Sequence, residues 1–246
     1  MISYDFLTKN LFTATDAQRE IPSEPTLFAT LKNLLKTGRI VKLKGGLYAL
    51  VNPLTGDIFA NRFEIATALH KGAFVGFHSA LEFYGLGNQM YSDVHVFTPT
   101  QYRSDLIDGL EYVYFETKYT EGVSVVEQNS TVRVTELERT VVDCLNRPDV
   151  AGGLEEVFTA LSAISYCDEQ KLLKHLKAYD KKLLYKKAGF FFSLLQPTYL
   201  TNRFFDVCKE NVTQRFDDIR ENKNASGKRI DEWKLIIPKE IINTEN

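Results

Sequence analysis

The amino-acid sequence predicts an α+β protein, in which a small, mainly helical N-terminal part precedes a larger mixed α/β part. Two observations predict this class. Helical patterns at the start of the chain end in a pair of strand-like runs at residues 39–51. Further strand-like runs lie at residues 93–134, and after residue 135 the pattern is helical nearly to the end of the chain. Separate runs of strands and helices are typical of α+β or mixed α/β units.

The first two predicted helices are short. One covers Ile2 to Lys9, and the second runs to about Glu20 with Thr13 as its N-cap. A threonine hydroxyl at that position can accept a hydrogen bond from an N–H group of the first turn. The dipeptide Ile21-Pro22 ends the second helix, because a proline keeps the residue before it out of the α region.

The third predicted helix has Ser23 as its N-cap and Pro25 in its first turn, where a missing N–H group costs nothing. It runs to about Thr37, and Gly38 ends it. Its apolar positions follow the spacing i, i+4, i+7, i+8, which predicts one buried stripe. This stripe consists of Leu27, Leu31, Leu34 and Leu35.

Two strand-like runs, residues 39–44 and 47–51, flank Gly45-Gly46, which can adopt the positive φ angles of a tight hairpin. Three helices followed by a basic hairpin are the order of a winged helix-turn-helix. We therefore predict that residues 1–52 form a winged helix-turn-helix DNA-binding domain. In such domains the third helix lies in the major groove, with its buried stripe against the rest of the domain.

The predicted DNA-binding residues come from the polar face of the third helix and from the hairpin. They are Thr26, Thr30, Asn33, Lys36, Arg39, Lys42 and Lys44. Hydroxyl and amide groups can reach base edges or phosphates, whereas lysine and arginine suit the phosphate backbone. We expect no large apolar residue on this outer face. The alternative is a winged helix used for protein contacts, with its lysines as a solvated face.

The charge distribution also favours a polyanion as the partner of the N-terminal part. Residues 1–52 carry seven Lys and Arg against four Asp and Glu, which gives a net charge of +3. The whole chain carries −2, so the remainder carries −5. A basic N-terminal part followed by an acidic remainder predicts that only the N-terminal part contacts a polyanion.

Turn-rich residues 52–57 predict a domain boundary, with a larger mixed α/β domain over residues 57–220 and a polar C-terminal tail over residues 221–246. Helices are predicted at residues 58–70, 153–165, 168–178, 183–194 and 199–210, and strands at residues 73–76, 93–98, 111–116, 123–127 and 131–134. Ser79 to Glu82 and Thr135 to Glu138 match the capping-box pattern, so each is predicted to open a further helix.

No catalytic, cofactor-binding or metal-binding residues are predicted, and we expect that the chain is not an enzyme. The sequence has no glycine-rich nucleotide loop and no paired His or Cys motif for zinc. His78 beside Ser79 could be read as a base and a nucleophile, but adjacent residues at a helix start more often cap the helix. Arg139 and Asp143 are predicted to form a structural ion pair at i, i+4 spacing.

Cysteine spacing and hydropathy predict a compartment for the chain. The three cysteines are odd in number and widely spaced, which fits neither a disulfide framework nor a zinc site, so we expect buried thiols. The longest apolar runs, such as residues 189–195, are far shorter than the roughly 20 residues that cross a bilayer. The N-terminus lacks the basic start and apolar core of a signal peptide, so we expect a cytoplasmic protein.

Four segments carry a resemblance to a known family. They are residues 44–50, 77–86, 135–143 and 147–155, with the sequences KGGLYAL, FHSALEFYGL, TELERTVVD and RPDVAGGLE. In this order they resemble the AbiEi-type antitoxins of type IV toxin–antitoxin systems, over roughly residues 1–210.

The resemblance implies an N-terminal winged helix that binds inverted repeats in its own promoter and a C-terminal domain needed for antitoxin activity. It also implies a cognate toxin of nucleotidyltransferase type, a role in abortive phage infection, and neutralisation without a stable antitoxin–toxin complex. No catalytic residue is carried over. The alternatives are a solitary regulator without a toxin, an enzyme with a DNA-targeting winged helix, and a protein-interaction adaptor.

Overall fold

The computed structural model of the chain describes residues 5–127 and 130–241. It confirms the α+β class, since these residues form helices and three sheets. The chain divides into two compact units. One comprises Met1–Val75 and Tyr91–Val134, and the other comprises Gly76–Met90 and Thr135–Asn246. The boundary predicted at residues 52–57 stays a prediction, since the first compact unit continues past it.

The N-terminal part of the first unit contains a small antiparallel sheet and two α-helices. Its elements are a 3-10 turn at Asp5–Thr8, β1 at Leu11–Thr13, α1 at Ala14–Glu20, α2 at Glu24–Lys36, β2 at Ile40–Lys44 and β3 at Leu47–Leu50. The strand order is β1-β3-β2, and both pairings are antiparallel. The first predicted helix is a single 3-10 turn, and Ile2 to Tyr4 lie outside the described residues.

Local capping chemistry explains where α1 begins. The Thr13 hydroxyl accepts a hydrogen bond from the Asp16 N–H group, and the Asp16 carboxylate accepts one from the Thr13 N–H group at 2.8 Å. This reciprocal pair satisfies two backbone donors at the helix start. Thr13 is therefore confirmed as the N-cap. Ser23 is likewise the N-cap of α2, although its side chain makes no capping hydrogen bond there.

The leucine stripe of α2 packs into the core of this N-terminal part. Leu27, Leu31 and Leu34 are buried against Phe12 and other apolar residues. Leu35 was expected in the same stripe, but 39% of it is exposed. The prediction was wrong because Leu35 lies about 100° around the helix axis from Leu34, beyond the narrow surface that meets the core.

The rest of the first unit is built around a six-stranded sheet with strand order β6-β7-β5-β4-β9-β8. Its elements are α3 at Arg62–Leu69, β4 at Phe74–Val75, β5 at Asp93–Thr98, β6 at Asp105–Ile107, β7 at Leu110–Glu116, β8 at Val123–Glu127 and β9 at Thr131–Thr135. Strand β5 runs parallel to β7, and β6 runs antiparallel to β7. Five of these strands were predicted to within one residue at each end, but β6 was not predicted.

Helix α3 starts later than the predicted Ile58. Its N-cap is Asn61, whose side chain accepts hydrogen bonds from the N–H groups of Phe63 and Glu64. The Glu64 carboxylate in turn accepts a hydrogen bond from the Asn61 N–H group at 2.8 Å. This capping box sets the start of the helix at Arg62, four residues after the predicted Ile58.

The second unit consists of helices followed by a small sheet. Its elements are α4 at Phe77–Phe83, α5 at Leu137–Asn146, α6 at Leu154–Ser162, α7 at Glu169–Tyr179, α8 at Lys182–Leu195, α9 at Asn202–Glu210, β10 at Asp217–Asp218, β11 at Gly227–Ile230 and β12 at Leu235–Pro238. The prediction of helices nearly to the end of the chain, followed by a polar tail, missed the strands at residues 217–238. Strands β10, β12 and β11 form a sheet, and Leu235 and Ile237 of β12, with Trp233 in the turn before it, are buried in the core.

The two predicted capping boxes of this unit are not formed. Ser79 lies inside α4, whose N-cap is Gly76, and it is only 1% exposed. The Thr135 hydroxyl pairs with the hydroxyl of Thr140 at 2.7 Å, and Glu136 is the N-cap of α5. The first prediction was wrong because α4 already begins at Phe77, and the second because the buried Thr135 hydroxyl pairs with Thr140.

Candidate nucleic-acid interface

One flank of α2 is polar and forms a concave surface. Thr26, Thr30 and Asn33 line this surface together with Arg39, which lies just before β2. Its volume is about 520 Å³, and Leu7, Ala29 and Leu34 supply the apolar part of its lining. The structure thus brings together four of the seven predicted DNA-binding residues.

Two polar groups on this surface have no protein partner. The side chains of Thr30 and Asn33 make no hydrogen bond with any residue in the described part of the chain. The Thr26 hydroxyl, in contrast, donates to Ser23 Oγ at 2.9 Å. Because Thr30 and Asn33 keep their donors and acceptors available, they are the groups on this surface best able to contact an external ligand.

The exposed surface of α2 also has an apolar flank. Phe28 is 70% exposed, and Leu35 lies two turns further along the same flank. At 100° per residue, Phe28 points about 140° away from Asn33 around the helix axis. The polar flank therefore has the expected composition, but the exposed side of the helix is not free of large apolar residues. This apolar flank suits the alternative function named above, in which the N-terminal part contacts another protein.

The predicted phosphate-binding cations differ in their surroundings. Lys36, Arg39 and Lys42 are exposed and form no side-chain ion pair or hydrogen bond with the described residues. Lys44 is different: its Nζ lies 2.5 Å from Asp105 Oδ2 and 3.4 Å from His70 Nε2. Among the described residues, the first three cations therefore have no carboxylate partner, whereas Lys44 is paired with Asp105.

The carboxylate of Asp105 holds its charge at neutral pH. Burial alone would raise its pKa, but hydrogen bonds from Lys44 and from the Tyr114 hydroxyl hold the pKa of Asp105 below its ordinary value. The sequence offered no signal for this pair, because its two members are 61 residues apart. Asp105 and His70 are the interface residues that sequence reasoning missed.

Many cations of the second unit are already neutralised. Ion pairs join Arg147 to Asp149, Lys171 to Glu136, Lys186 to Asp217, Lys209 to Glu232, Arg220 to Asp218 and Arg229 to Asp231. Such pairs reduce the field that a distant polyanion meets. The lysines and arginine along α2 and the start of the hairpin contrast with them, since they lack carboxylate partners.

The residues considered for catalysis are buried in the second unit. Nε2 of His78 lies 3.0 Å from Glu156 Oε1, and Nδ1 of His78 lies 3.6 Å from Glu82 Oε1. Both His78 and Ser79 are only 1% exposed, so neither meets solvent. The imidazole is held between two carboxylates, which fits a structural role in the core.

The predicted ion pair of α5 is confirmed and is fully buried. Arg139 Nε lies 3.4 Å from Asp143 Oδ2, and the Tyr179 hydroxyl donates to the other carboxylate oxygen of Asp143. Desolvation raises the pKa of Asp143 to about 6 despite the nearby guanidinium. Removing one member of such a buried pair leaves an uncompensated charge, so we assign the pair to the stability of the core.

The cysteines are buried thiols, as predicted. They are Cys144, Cys167 and Cys208, and burial raises the pKa of Cys208 to about 12. Within residues 5–127 and 130–241, no cluster of His, Cys, Asp and Glu side chains is arranged to hold a metal ion. The same residues contain no helix with the length and apolar character to cross a bilayer.

The comparison with known proteins identifies a fold but no family. No family model matches the chain, and no functionally curated protein matches it. The crystal structure of the RV2827C protein from Mycobacterium tuberculosis is similar, with a TM-score of 0.68. The similarity covers 98% of this chain and 92% of that chain at 13% sequence identity. At this identity the similarity shows the fold alone.

Proposed function

We propose that this chain is a cytoplasmic DNA-binding transcriptional regulator whose N-terminal part acts as a winged helix. In this proposal α2 is the recognition helix and the β2–β3 hairpin is the wing. One observation carries it: Thr30 and Asn33 line a concave surface with Arg39, and neither these side chains nor Lys36 and Lys42 have a side-chain partner among residues 5–127 and 130–241.

The dimensions of α2 suit this role. Its 13 residues extend over about 20 Å, and a B-form major groove of about 12 Å width admits an α-helix. The three leucines hold one side of the helix in the core, so the polar flank keeps a fixed direction. A rigid helix that presents hydroxyl and amide groups between flanking cations is the usual arrangement for reading base edges while contacting phosphates.

We further propose that the protein is the antitoxin of a type IV toxin–antitoxin system, countering a nucleotidyltransferase-type toxin and repressing its own promoter at inverted repeats. Support comes from the order of the four resembling segments. Three of them lie in α4, in α5 and at the start of α6, and many of their residues are buried. These segments therefore support the proposal that the second unit has the same fold as AbiEi-type antitoxins. The proposed antitoxin role rests on that fold together with the polar flank of α2 and its neighbouring cations.

The antitoxin proposal predicts that DNA binding and protection separate. We expect the full chain to restore growth when it is expressed beside the nucleotidyltransferase-type toxin encoded next to it. A variant with Asn33→Ala and Lys42→Ala should lose promoter repression but still protect, because neutralisation is proposed to need no DNA contact. Co-purification should recover no stable complex. Absence of a toxin gene, or no protection by the wild-type chain, would support a solitary regulator.

The recognition proposal predicts two different mutant phenotypes. Thr30→Ala and Asn33→Ala should each reduce discrimination between a selected operator and unrelated duplexes by about 1–3 kcal/mol wherever the side chain reads a base. Lys42→Ala should instead weaken binding to all duplexes and reduce the log–log salt slope by about 0.9. Binding isotherms on operator and competitor DNA at several salt concentrations measure both quantities.

Phe28→Ser is the matched control for these variants, since Phe28 lies on the other exposed flank of the same helix. It should change neither discrimination nor salt slope. If Phe28→Ser abolished binding while Thr30→Ala and Asn33→Ala left discrimination intact, the polar flank would not be the reading surface.

A further inference from the structure

We propose that the DNA-binding surface continues past the hairpin onto Lys71 and Arg103, which contact phosphates of the same duplex. This inference rests on the proposed function and extends its site to residues outside 1–52. It places backbone contacts on the part of the first unit that contains the six-stranded sheet.

The end of β2 is fixed against two loops of that part. Lys44 Nζ reaches both Asp105 at the start of β6 and His70 at the end of α3. The His70 ring stacks on the Tyr102 ring, with centroids 3.7 Å apart and planes at 21°. The Tyr114 ring meets His70 edge-on at 4.8 Å, and the Tyr114 hydroxyl donates to Asp105 at 2.7 Å. These contacts give the hairpin a fixed place on the first unit.

Two further cations flank this stack. Lys71 follows His70 in the chain, and Arg103 follows Tyr102. Consecutive Cα atoms are about 3.8 Å apart, so both cations start from backbone that adjoins the stacked rings. Both side chains are exposed, and neither has an ion-pair or hydrogen-bond partner in the described part of the chain.

The local charge balance is positive. Asp105 is the carboxylate of this cluster, and Lys44 and Tyr114 already occupy it. Among the described residues, Lys71 and Arg103 therefore have no compensating carboxylate, and they flank the tip of the hairpin, where Lys44 precedes the Gly45-Gly46 turn. Lys42 lies two residues before Lys44 on β2, so the uncompensated cations continue from α2 through the hairpin to this cluster.

The chemistry of these residues favours a duplex backbone over a small anion. Lys71 and Arg103 lie on an open surface, whereas a small anion would need a concave site with converging donors. Cations spaced along a surface match a polyanion whose phosphates are themselves spaced, and the gain on contact is the release of counterions. Continuity with the α2 surface points to the same duplex.

The test compares the wild-type full-length chain with a double variant that carries both Lys71→Ala and Arg103→Ala. The probe is a labelled duplex of arbitrary sequence, about three helical turns long. Loss of two phosphate contacts should reduce the log–log salt slope by about 1.8 and weaken binding about 60-fold at about 0.1 M salt. The matched control is Lys177→Ala with Lys228→Ala, which removes two exposed, unpartnered cations from the second unit and should leave slope and affinity unchanged.

Each outcome decides between the hypotheses. If wild type binds the duplex and the Lys71/Arg103 variant keeps its salt slope, the extended surface is overturned while the proposed function stands. If the wild-type chain binds no duplex at all, the proposed DNA-binding function is contradicted, and the extended surface is contradicted with it. Glutamine substitutions at both positions provide a second version in case the alanine variant melts at a lower temperature than wild type.

Discussion

Replacing Lys36, Arg39 and Lys42 together with alanine should weaken binding to duplex DNA by about 500-fold at about 0.1 M salt. The three side chains are exposed and have no partner in the part of the chain that the structure describes, so they can neutralise three phosphates. Each lost contact removes about 0.9 from the log–log salt slope, so the slope should fall by about 2.7. Titration of a labelled duplex at a series of salt concentrations measures both changes.

The control for this triple variant is Lys177→Ala, Lys228→Ala and Lys239→Ala, which changes the net charge equally but lies in the second unit. These three cations are also exposed and without partners among the described residues. We expect near wild-type binding from the control. An equal loss of duplex affinity in the two triple variants would mean that the net charge of the protein, and not the cations beside the polar flank of α2, drives association.

Replacing Gly189 with alanine should destabilise the protein by about 3 kcal/mol. A Cβ atom at this position of α8 would lie 2.1 Å from Cζ3 and 2.3 Å from Cη2 of Trp233. Trp233 is only 1% exposed, so its ring has little room to move. Glycine is normally worse than alanine inside a helix by roughly 0.5–1 kcal/mol, so the expected effect has the opposite sign to helix propensity.

A double-mutant cycle tests the cause of that loss. Trp233→Leu alone should destabilise the core by leaving a cavity, and Gly189→Ala added to it should cost much less than in the wild-type background. Chemical denaturation of the four proteins measures the coupling free energy. A stabilising Gly189→Ala substitution, or strictly additive effects, would show that the indole ring does not pack against this glycine.

Several elements were predictable because their signals are local. Thr13 caps α1 through a residue three positions away, and Asp168 caps α7 by accepting hydrogen bonds from the N–H groups of Gln170 and Lys171. Strand β5 was predicted over its full length because apolar, β-branched and aromatic residues are concentrated there. Hydrophobic periodicity also placed α2 with three of its four leucines correctly buried.

The small sheet of the second unit had no such signal. Its strands are short, and two of them carry polar residues, including Asp217 and Lys228. The sheet exists because Trp233, Leu235 and Ile237 are buried in a core shared with the helices. Tertiary burial therefore decided a secondary structure that local propensity did not favour.

The candidate nucleic-acid interface also combines features that the sequence predicted with features that only the tertiary structure shows. The sequence alone determined the α+β class, the polar flank of α2 and the basic hairpin, since helix and strand periods place side chains on faces without any knowledge of distant residues. Only the tertiary structure decided which cations stay uncompensated. Among the described residues, Lys36, Arg39 and Lys42 pair with no carboxylate, whereas Lys44 pairs with Asp105. The physical reason is that ion pairing depends on distance in space, and a partner 61 residues away leaves no mark on local spacing.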